Sequence, residues 1–519
     1  MEMMRCPQCG TEFEKGSTEF CPNPNCGFPV AFAQDPITEP VAVAMERKPG
    51  EVVRPAPPPP LAAQPPTPPP AKPRKKLPVA VIAGIAAAVV VIGVVLFLVL
   101  KPSHKVTLPS GNPSHTPSVS HKPPPHTPPT PTPLVDHLAA MTWNRVPGST
   151  TVFGGNGDQV MNRVSAGGAG VVAVGSDSSI GNQDAAAWTS RDGTAWTRVA
   201  SSSFSGAGDQ EISGVAPNGS SVVGVGWDGS GGNFDAAVWQ SNGVTWSRVA
   251  PDPTTFGGPG NQVMNRVARG GPGFVAVGFS TTADGSTNGA VWTSKDGAAW
   301  SRAPDDPTVF GGAGDQRIRG VTAFNSGLVA VGFDTGNGSK DAAVWTSDGV
   351  TWSRVPADPA VFGSVTNPGS NQEMVSVTQF GSELVAVGQD GSLGDSDGDK
   401  DDDSDAAIWT SKDGLHWTRV TPDPAVFGGP GEQALSGVVA TKSGLVAVGY
   451  DESSGSFDGA VWTSPDAIHW KKTSNQFVFG GPDDQRMKSV DIAGGFVVAV
   501  GWSGKPGSLD AAVWRAKLP

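Results

Sequence analysis

Residues 328–355 read LVAVGFDTGNGSKDAAVWTSDGVTWSRV and contain three motifs that recur along the chain. Val-x-Val-Gly ends at Gly332, Asp-Ala-Ala-Val-Trp-Thr-Ser surrounds Trp345, and Trp352 begins Trp-x-Arg-Val. A fourth motif, Phe-Gly-Gly-x-Gly-x-Gln, ends just upstream at Gln316. From residue 141 onward each motif recurs seven times, with substitutions in some repeats such as Lys472 in place of the Arg, and with a period of about 52 residues. The glycine of the first motif lies at 175, 226, 278, 332, 388, 449 and 501.

Each period contains four short runs that alternate or are apolar and that end at Gly, Asn or Pro turns, a pattern typical of β-strands. In the second period the runs are Ile212–Ala216, Val222–Gly226, Ala236–Gln240 and Trp246–Val249. Four strands in each of seven repeats predict an all-β, seven-bladed β-propeller over residues 139–519. This architecture leaves only short, protected sheet edges.

The phase of the repeats predicts how the propeller closes. Residues 141–146 open the array with a lone fourth strand, and the last repeat stops after Trp514 without one. The N-terminal strand should therefore complete the C-terminal blade. A β-solenoid is the alternative architecture, but it would not need this permutation.

The composition agrees with a β-rich chain and excludes one class of partner. Of 519 residues, 69 are Gly and 48 are Pro, while charged residues make up 16%. This disfavours long surface helices and suits short strands joined by turns. The formal net charge is −12, and residues 141–519 carry 24 Lys and Arg against 39 Asp and Glu. Because such a domain repels phosphate, nucleic acid is excluded as a partner.

All four cysteines lie near the N-terminus, as the pairs Cys6–Cys9 and Cys21–Cys26. Two close pairs separated by a short loop can surround one tetrahedral Zn²⁺. The arrangement, with its Cys-Pro-x-Cys-Gly half, resembles a zinc ribbon. Residues 1–34 are therefore predicted to form a structural zinc domain that docks a cytoplasmic protein. Two disulfides are the alternative, which a reducing compartment disfavours.

Residues 78–100 are predicted to form a single transmembrane helix. Val79–Leu100 is 22 residues without a charge, enough to cross a hydrocarbon core of about 30 Å. Its N-terminal flank carries Lys72, Arg74, Lys75 and Lys76, whereas only Lys101 and Lys105 follow it closely. This bias predicts a cytoplasmic N-terminus and an extracytoplasmic propeller on a bacterial cell membrane. Pro-rich linkers, residues 35–77 and 101–138, flank the span.

The turn after the second motif is similar to a turn of a known family. Ser190-Arg-Asp-Gly-Thr-Ala-Trp196 recurs at Ser294–Trp300 and Ser411–Trp417, and it resembles the Asp box of sialidase-like propellers, though one residue shorter. The resemblance implies a hairpin in which Asp caps backbone amides and Trp packs between blades. It implies fold and not activity.

The sialidase resemblance also implies a Tyr–Glu nucleophile pair, an acidic Asp and three Arg that hold a substrate carboxylate. The single tyrosine, Tyr450, follows Val-Ala-Val-Gly, where other repeats carry Trp or Phe, so we interpret it as a packing residue. The two histidines of the propeller, His416 and His469, lie in Asp-box turns. Five arginines outside the Trp-x-Arg position are candidates to line one channel end: Arg163, Arg266, Arg317, Arg319 and Arg486.

One blade departs from the repeat in two loops. Phe362 to Gln372 spans ten residues, against six in every other blade, and a second insertion lengthens the loop that begins at Asp390. Both loops should emerge on the face opposite the Asp-box turns, which marks that face as the candidate ligand-binding face. The candidate ligand-binding loops are those around Asn367, Ser370, Asp390 and Asp395, and the binding residues within them are unknown.

The second insertion places Asp395, Asp397, Asp399 and Asp401 at alternate positions of a Gly-containing loop. Oxygen ligands at this spacing suit Ca²⁺, and the stretch resembles DxDxD calcium loops. A solvated acidic loop without metal is the alternative, because the Gly after the third Asp and the closing Glu are missing.

These features predict a membrane-anchored, extracytoplasmic propeller that binds an envelope glycan or a protein, with a cytoplasmic zinc ribbon for a partner. An extracellular glycoside hydrolase or lyase of sialidase-like fold is the alternative from another class. The absence of a Tyr or His that breaks the repeat argues against it. A third interpretation is that the propeller is a structural spacer in an envelope assembly.

Overall fold

The computed structural model describes residues 3–5, 12–14 and 136–519, except residues 169, 180, 272, 365–368, 392–403 and 474–475. The four predicted zinc ligands and the predicted span lie outside these residues, as do Asn367 and the four aspartates of the predicted calcium loop. The chain divides into two units, Met1–Pro124 and Pro125–Pro519. In the first unit, β1 (Met3–Arg5) pairs antiparallel with β2 (Glu12–Glu14). No helix within the described ranges is long and apolar enough to cross a membrane.

The second unit contains seven four-stranded sheets, one for each repeat. β3 (Trp143–Arg145) comes first in the chain and belongs to the seventh sheet. Blade 1 contains β4 (Gln159–Gly167), β5 (Gly170–Asp177), β6 (Asp184–Ser190) and β7 (Trp196–Arg198), and blade 2 contains β8 (Gln210–Asn218), β9 (Ser221–Asp228), β10 (Asp235–Ser241) and β11 (Trp246–Arg248). Blade 3 contains β12 (Gln262–Gly270), β13 (Gly273–Thr281), β14 (Thr287–Ser294) and β15 (Trp300–Arg302). Blade 4 contains β16 (Gln316–Phe324), β17 (Gly327–Asp334), β18 (Asp341–Ser347) and β19 (Trp352–Arg354).

Blade 5 contains β20 (Gln372–Phe380), β21 (Glu383–Asp390), β22 (Asp405–Ser411) and β23 (Trp417–Arg419). Blade 6 contains β24 (Gln433–Thr441), β25 (Gly444–Asp451), β26 (Asp458–Ser464) and β27 (Lys471–Thr473). Blade 7 contains β28 (Asp484–Ala493), β29 (Phe496–Lys505) and β30 (Ser508–Lys517), together with β3. Short helical turns lie outside the strands at Leu138–Ala140, Ser202–Phe204, α1 (Pro424–Phe427) and α2 (Gln476–Phe479).

The ring closes as the phase of the repeats predicts. β3 pairs with β30, with Trp143 opposite Ala516 and Arg145 opposite Trp514. The first strand of each blade contacts the first strand of the next blade, and β28 contacts β4 in the same way. The seven first strands therefore surround a central channel, and the solenoid alternative is wrong.

Apolar cores lie between neighbouring blades. Each of seven buried clusters combines side chains from two adjacent blades. Because the middle strands are covered on both faces, they read as nearly continuous Val and Ala runs rather than alternating ones. The tryptophan of the second motif is fully buried in each repeat; Trp345, for example, donates its indole N–H to the Val309 carbonyl at 2.7 Å.

The Asp-box turns have the geometry that the family resemblance implies. Asp413 accepts hydrogen bonds from the backbone N–H groups of Leu415 and His416, both at 2.8 Å. Trp417 donates to the Gly414 carbonyl at 3.0 Å and packs into the core shared with blade 4. Gly414 has a φ of 79°, a conformation that favours glycine at this turn.

A polar network recurs at the opposite end of five blades. In blade 4, the Gln316 side-chain amide donates to Asp334 at 2.9 Å, and Arg354 forms an ion pair with the same carboxylate. The Arg354 guanidinium also lies over the Trp345 ring, 5.6 Å from its centre. The equivalent carboxylates are Asp177, Asp228, Asp390 and Asp451, and Lys472 replaces the arginine in blade 6. Blades 3 and 7 carry Ser280 and Ser503 at this position.

Candidate functional site

The two ends of the blades form two different faces. On the first, which we call the loop face, the loop before the first strand meets the loop between the second and third strands; in blade 5, Gln372 lies opposite Asp390. On the second, the Asp-box face, a hairpin joins the third and fourth strands, with Ser411 opposite Trp417. Both insertions of blade 5 therefore begin on the loop face, as the sequence predicts.

Two of the predicted loop residues are among those described. Asp390 is fully buried, accepts a hydrogen bond from Gln372 at 2.7 Å and forms an ion pair with Arg419. Ser370 is half-buried, and its hydroxyl oxygen lies 2.8 Å from the Gln372 side-chain nitrogen. Asp390 itself thus lies in the blade interior, where its carboxylate belongs to the repeated network, and ligand binding by the loop that begins there stays a prediction.

A β-bulge near the loop face determines which side chains line the channel. Each first strand has one, in blade 5 between Met374 and Ser376, and the extra residue stands three positions after the repeated Gln. All seven extra residues line one cavity of about 310 Å³, which we call the channel-mouth cavity. They are Asn162, Ser213, Asn265, Arg319, Val375, Ser436 and Lys488. The volume is at the lower end of the range for small-molecule sites.

Two carboxylates reach the channel-mouth cavity, and both are engaged within the protein. Glu373 accepts a hydrogen bond from Arg319 Nε at 2.6 Å, and its other oxygen lies 3.6 Å from Lys340 Nζ. Glu211 accepts from the Ser213 hydroxyl at 2.8 Å and from a side-chain amide at 3.1 Å. All four carboxylate oxygens therefore already have partners.

The cations of the same cavity keep unused donors. Lys488 makes no hydrogen bond or ion pair with any described residue, and burial lowers its pKa although Glu211 opposes that shift. Arg266 donates to two backbone carbonyls, at 2.9 and 3.2 Å, while its Nε and the Nδ2 of Asn162 are buried without a partner in the described part of the chain. Of the five arginines proposed from the sequence, Arg266 and Arg319 line the cavity. The local excess of donors favours an anionic or hydroxyl-bearing ligand.

Tyr450 contributes a phenol–carboxylate pair to the cavity wall. Its hydroxyl donates to Glu432 at 2.8 Å, its ring packs edge-on against Phe457 at 5.3 Å, and Arg486 lies over the ring at 4.1 Å. The packing role predicted for Tyr450 is confirmed, but the sequence did not reveal its carboxylate partner. Burial, followed by the charge of Glu432, raises the pKa of Tyr450, so the phenol stays protonated at neutral pH.

The two propeller histidines lie on the Asp-box face, remote from the channel-mouth cavity. Each ring Nδ1 lies 2.7 Å from the carboxylate of its own turn, which joins His416 to Asp413 and His469 to Asp466. The hydrogen bond from the His416 ring, together with turn amides, lowers the pKa of Asp413. Both histidines therefore serve their turns, as the sequence predicts.

Other regions offer fewer converging polar groups. A cavity of about 620 Å³ opens between blades 1 and 2 on the Asp-box face, but Arg191 is the single charged residue among those that line it. Its other polar side chains are four hydroxyls, so it offers a ligand fewer charged groups than the channel-mouth cavity does. Across the described ranges, no three His, Cys, Asp or Glu side chains are grouped to hold a metal ion.

Comparisons with known proteins leave the activity open. No family model and no curated protein matches the sequence. Similar solved structures include a sialidase from Trypanosoma rangeli in complex with sialic acid (12% identity, 72% of this chain, 58% of that chain, TM-score 0.38). They also include a GH74 xyloglucanase from Xanthomonas campestris (15% identity, 72% of this chain, 55% of that chain, TM-score 0.41). A third is an α-L-arabinofuranosidase from Fusarium graminearum (15% identity, 58% of this chain, 91% of that chain, TM-score 0.37). The chain thus spans less than two thirds of the sialidase and of the xyloglucanase. At these values the likeness carries no argument about function, and the propeller assignment rests on the strand pairing.

Proposed function

We propose that the propeller is an extracytoplasmic binding module whose channel-mouth cavity holds an anionic group of an envelope glycan. The observation that supports this is the imbalance of hydrogen-bonding groups: both carboxylates are engaged internally, whereas Lys488 and Arg266 keep unused donors. Arg266 Nε and Asn162 Nδ2 are buried donors, and a buried donor without a partner is costly unless a ligand satisfies it. The free Nδ2 of Asn162 beside them suits a sugar hydroxyl.

Retention on polysaccharide tests the binding proposal against catalysis. Residues 136–519 are mixed with isolated cell-envelope polysaccharide, and bound protein and released reducing sugar are measured in the same tubes. We expect retention without release. Release of sugar would show that the propeller is a hydrolase rather than a binding module. Absence of retention would show that the glycan is not the ligand and would favour a protein partner.

A glycoside hydrolase is a second candidate, which the Tyr450–Glu432 pair favours. The hydroxyl-to-carboxylate distance of 2.8 Å allows Glu432 to take the phenol proton as the phenol oxygen attacks the anomeric carbon of a glycoside. The glycosidic bond breaks in the same step, and the leaving sugar oxygen takes a proton from water. The raised pKa of Tyr450 opposes this role, because a free phenolate is scarce at neutral pH. Tyr450→Phe should abolish any release of reducing sugar if the protein is a hydrolase. Release that survives this substitution would eliminate the pair as the reacting group.

We also propose that residues 78–100 anchor the chain and that residues 1–34 bind structural zinc in the cytoplasm, where they dock a protein partner. The cysteine spacing and the basic flank of the span support this arrangement. Metal analysis of the full chain should find zinc that disappears in the double variant Cys9→Ser, Cys26→Ser. Unchanged zinc content in that variant would contradict the assignment.

A calcium ion in the blade 5 insertion is a separate proposal, based on the alternate spacing of Asp395, Asp397, Asp399 and Asp401. Calorimetry should detect calcium uptake that is lost in the double variant Asp395→Ala, Asp397→Ala. If the parent protein gives no heat with calcium, the insertion is an acidic loop without a metal.

A further inference from the structure

Exposed apolar side chains are concentrated on the Asp-box face. Four of the five large, strongly exposed apolar residues in the described ranges stand at the tips of Asp-box turns. They are Val244, Val350, Leu415 and Ile468, with exposed fractions of 83, 88, 53 and 61%. The fifth, Phe477 (77%), lies on the loop face, in the loop that leads to the first strand of blade 7. A set of apolar tips on one face indicates a contact surface.

The chain enters the propeller at the same face. The Asp136 carboxylate accepts a hydrogen bond from the Thr463 hydroxyl at 2.7 Å, and Thr463 directly precedes the Asp-box turn of blade 6. Leu138 is buried in the core between blades 6 and 7, which fixes this entry point. Residues 136–138 therefore lie next to the turn that carries Ile468.

This face carries charges of both signs. The Asp-box carboxylates are occupied by their own turns; Asp296, for example, accepts from the N–H groups of Ala298 and Ala299 at 2.8 and 3.0 Å. Exposed cations stand directly before three of these carboxylates, at Arg191, Lys295 and Lys412. The acidic insertion of blade 5 begins on the opposite face. The turns lower the pKa of their carboxylates, which therefore stay ionised, and Lys412 is paired with Glu383 at 3.5 Å. Contact with lipid therefore depends on the apolar tips rather than on net charge.

We infer that the Asp-box face rests on the outer surface of the bilayer, with the four apolar tips among the lipid headgroups. This inference rests on the proposed membrane span and is independent of glycan binding. Single side chains give the free propeller little affinity for lipid, but a tether raises the local concentration to the millimolar range and makes weak contact sufficient. The loop face and its channel-mouth cavity then point away from the membrane.

A site-specific fluorescence experiment tests the inference. Residues 136–519 contain all seven blades and every core cluster, so this part of the chain forms a complete fold. It is attached through an N-terminal His tag to vesicles of phosphatidylcholine and phosphatidylglycerol that contain a nickel-chelating lipid. Because the propeller has no cysteine, Leu415→Cys and Phe477→Cys each carry one environment-sensitive dye.

We expect the dye at position 415 to shift to the blue and to be quenched by brominated lipid, and the dye at the more exposed position 477 to do neither. Adding Val244→Ser, Val350→Ser and Ile468→Ser should abolish quenching at 415 while the tag still holds the protein on the vesicle. Equal quenching at both positions, or none at 415, would overturn the inference. A blue shift at position 415 that occurs without vesicles and grows with protein concentration would overturn the inference and show that the face binds a second copy of the chain.

Discussion

Lys488 and its six equivalents occupy one position of the repeat, three residues after the glutamine that begins each first strand. Read around the ring, this position is Asn, Ser, Asn, Arg, Val, Ser and Lys, whereas the glutamine itself never changes. The residue directly after this position varies as well, among Arg, Gly and Ser, so variation alone did not identify the channel lining. The sequence could not show that this position faces the channel, because the β-bulge shifts the alternation of side chains by one residue.

The single tyrosine makes its environment directly measurable. Burial and the Glu432 carboxylate raise the pKa of Tyr450, so tyrosinate absorbance of the folded protein should stay absent through pH of about 10, where an ordinary tyrosine is half ionised. Glu432→Gln should lower the titration midpoint because it removes the neighbouring charge. Since the unfolded chain ionises first, stability should fall as pH rises above about 10. A midpoint at or below the ordinary value would contradict the buried pair.

The network inside blade 5 provides a stability test. Asp390→Ser leaves the Arg419 guanidinium largely buried without its carboxylate, which should cost about 3 kcal/mol in the free energy of unfolding. Blade 3 tolerates Ser280 at the equivalent position because Arg302 pairs with Asp305 instead, at 2.9 Å. In denaturant titrations, the double variant Asp390→Ser, Arg419→Met should recover most of the loss. A double variant as unstable as the single one would show that the unpaired charge is not the cause.

At the scale of elements, the sequence predicts the strands well and the loops poorly. The predicted run Trp246–Val249 matches β11, and Ile212–Ala216 lies inside the longer β8. Apolar periodicity identifies the buried middle of each strand, but the polar ends, such as Gln210, pair through backbone groups that leave no apolar signal. The turns were predictable because Gly and Asp at fixed offsets specify them.

The closing strand is the element on which the ring depends. Trp143 is 3% exposed, and its ring centre lies 5.9 Å from that of Phe479. Trp143→Ala should lower the free energy of unfolding by about 3–5 kcal/mol, because it leaves a cavity where the N-terminal strand joins blade 7. Val244→Ala, at an exposed tip, should change stability by less than about 0.5 kcal/mol. Equal small effects of both variants in denaturant titrations would mean that β3 contributes little to closure.

At the scale of the whole molecule, the two faces of the propeller differ in chemistry. The loop face carries the channel-mouth cavity, with Lys488 and Arg266 at its wall, and the blade 5 insertions. The Asp-box face carries apolar tips and the point where the chain enters. The sequence predicted the loop face as the ligand face from the insertions alone. It could not place the cavity, since the cavity is built from residues of seven blades that are distant in the sequence.

One measurement tests most directly whether the channel-mouth cavity binds the ligand. It is the dissociation constant of Lys488→Met for envelope polysaccharide, compared with that of a matched control. Lys412→Met is the control, because Lys412 is 84% exposed on the opposite face. Because a charged hydrogen-bond donor is lost, Lys488→Met should bind about tenfold more weakly than the parent. Its unfolding midpoint should be no lower than that of the parent. Lys412→Met should bind like the parent. If Lys488→Met retains the affinity of the parent for the polysaccharide, the channel-mouth cavity is not the ligand site.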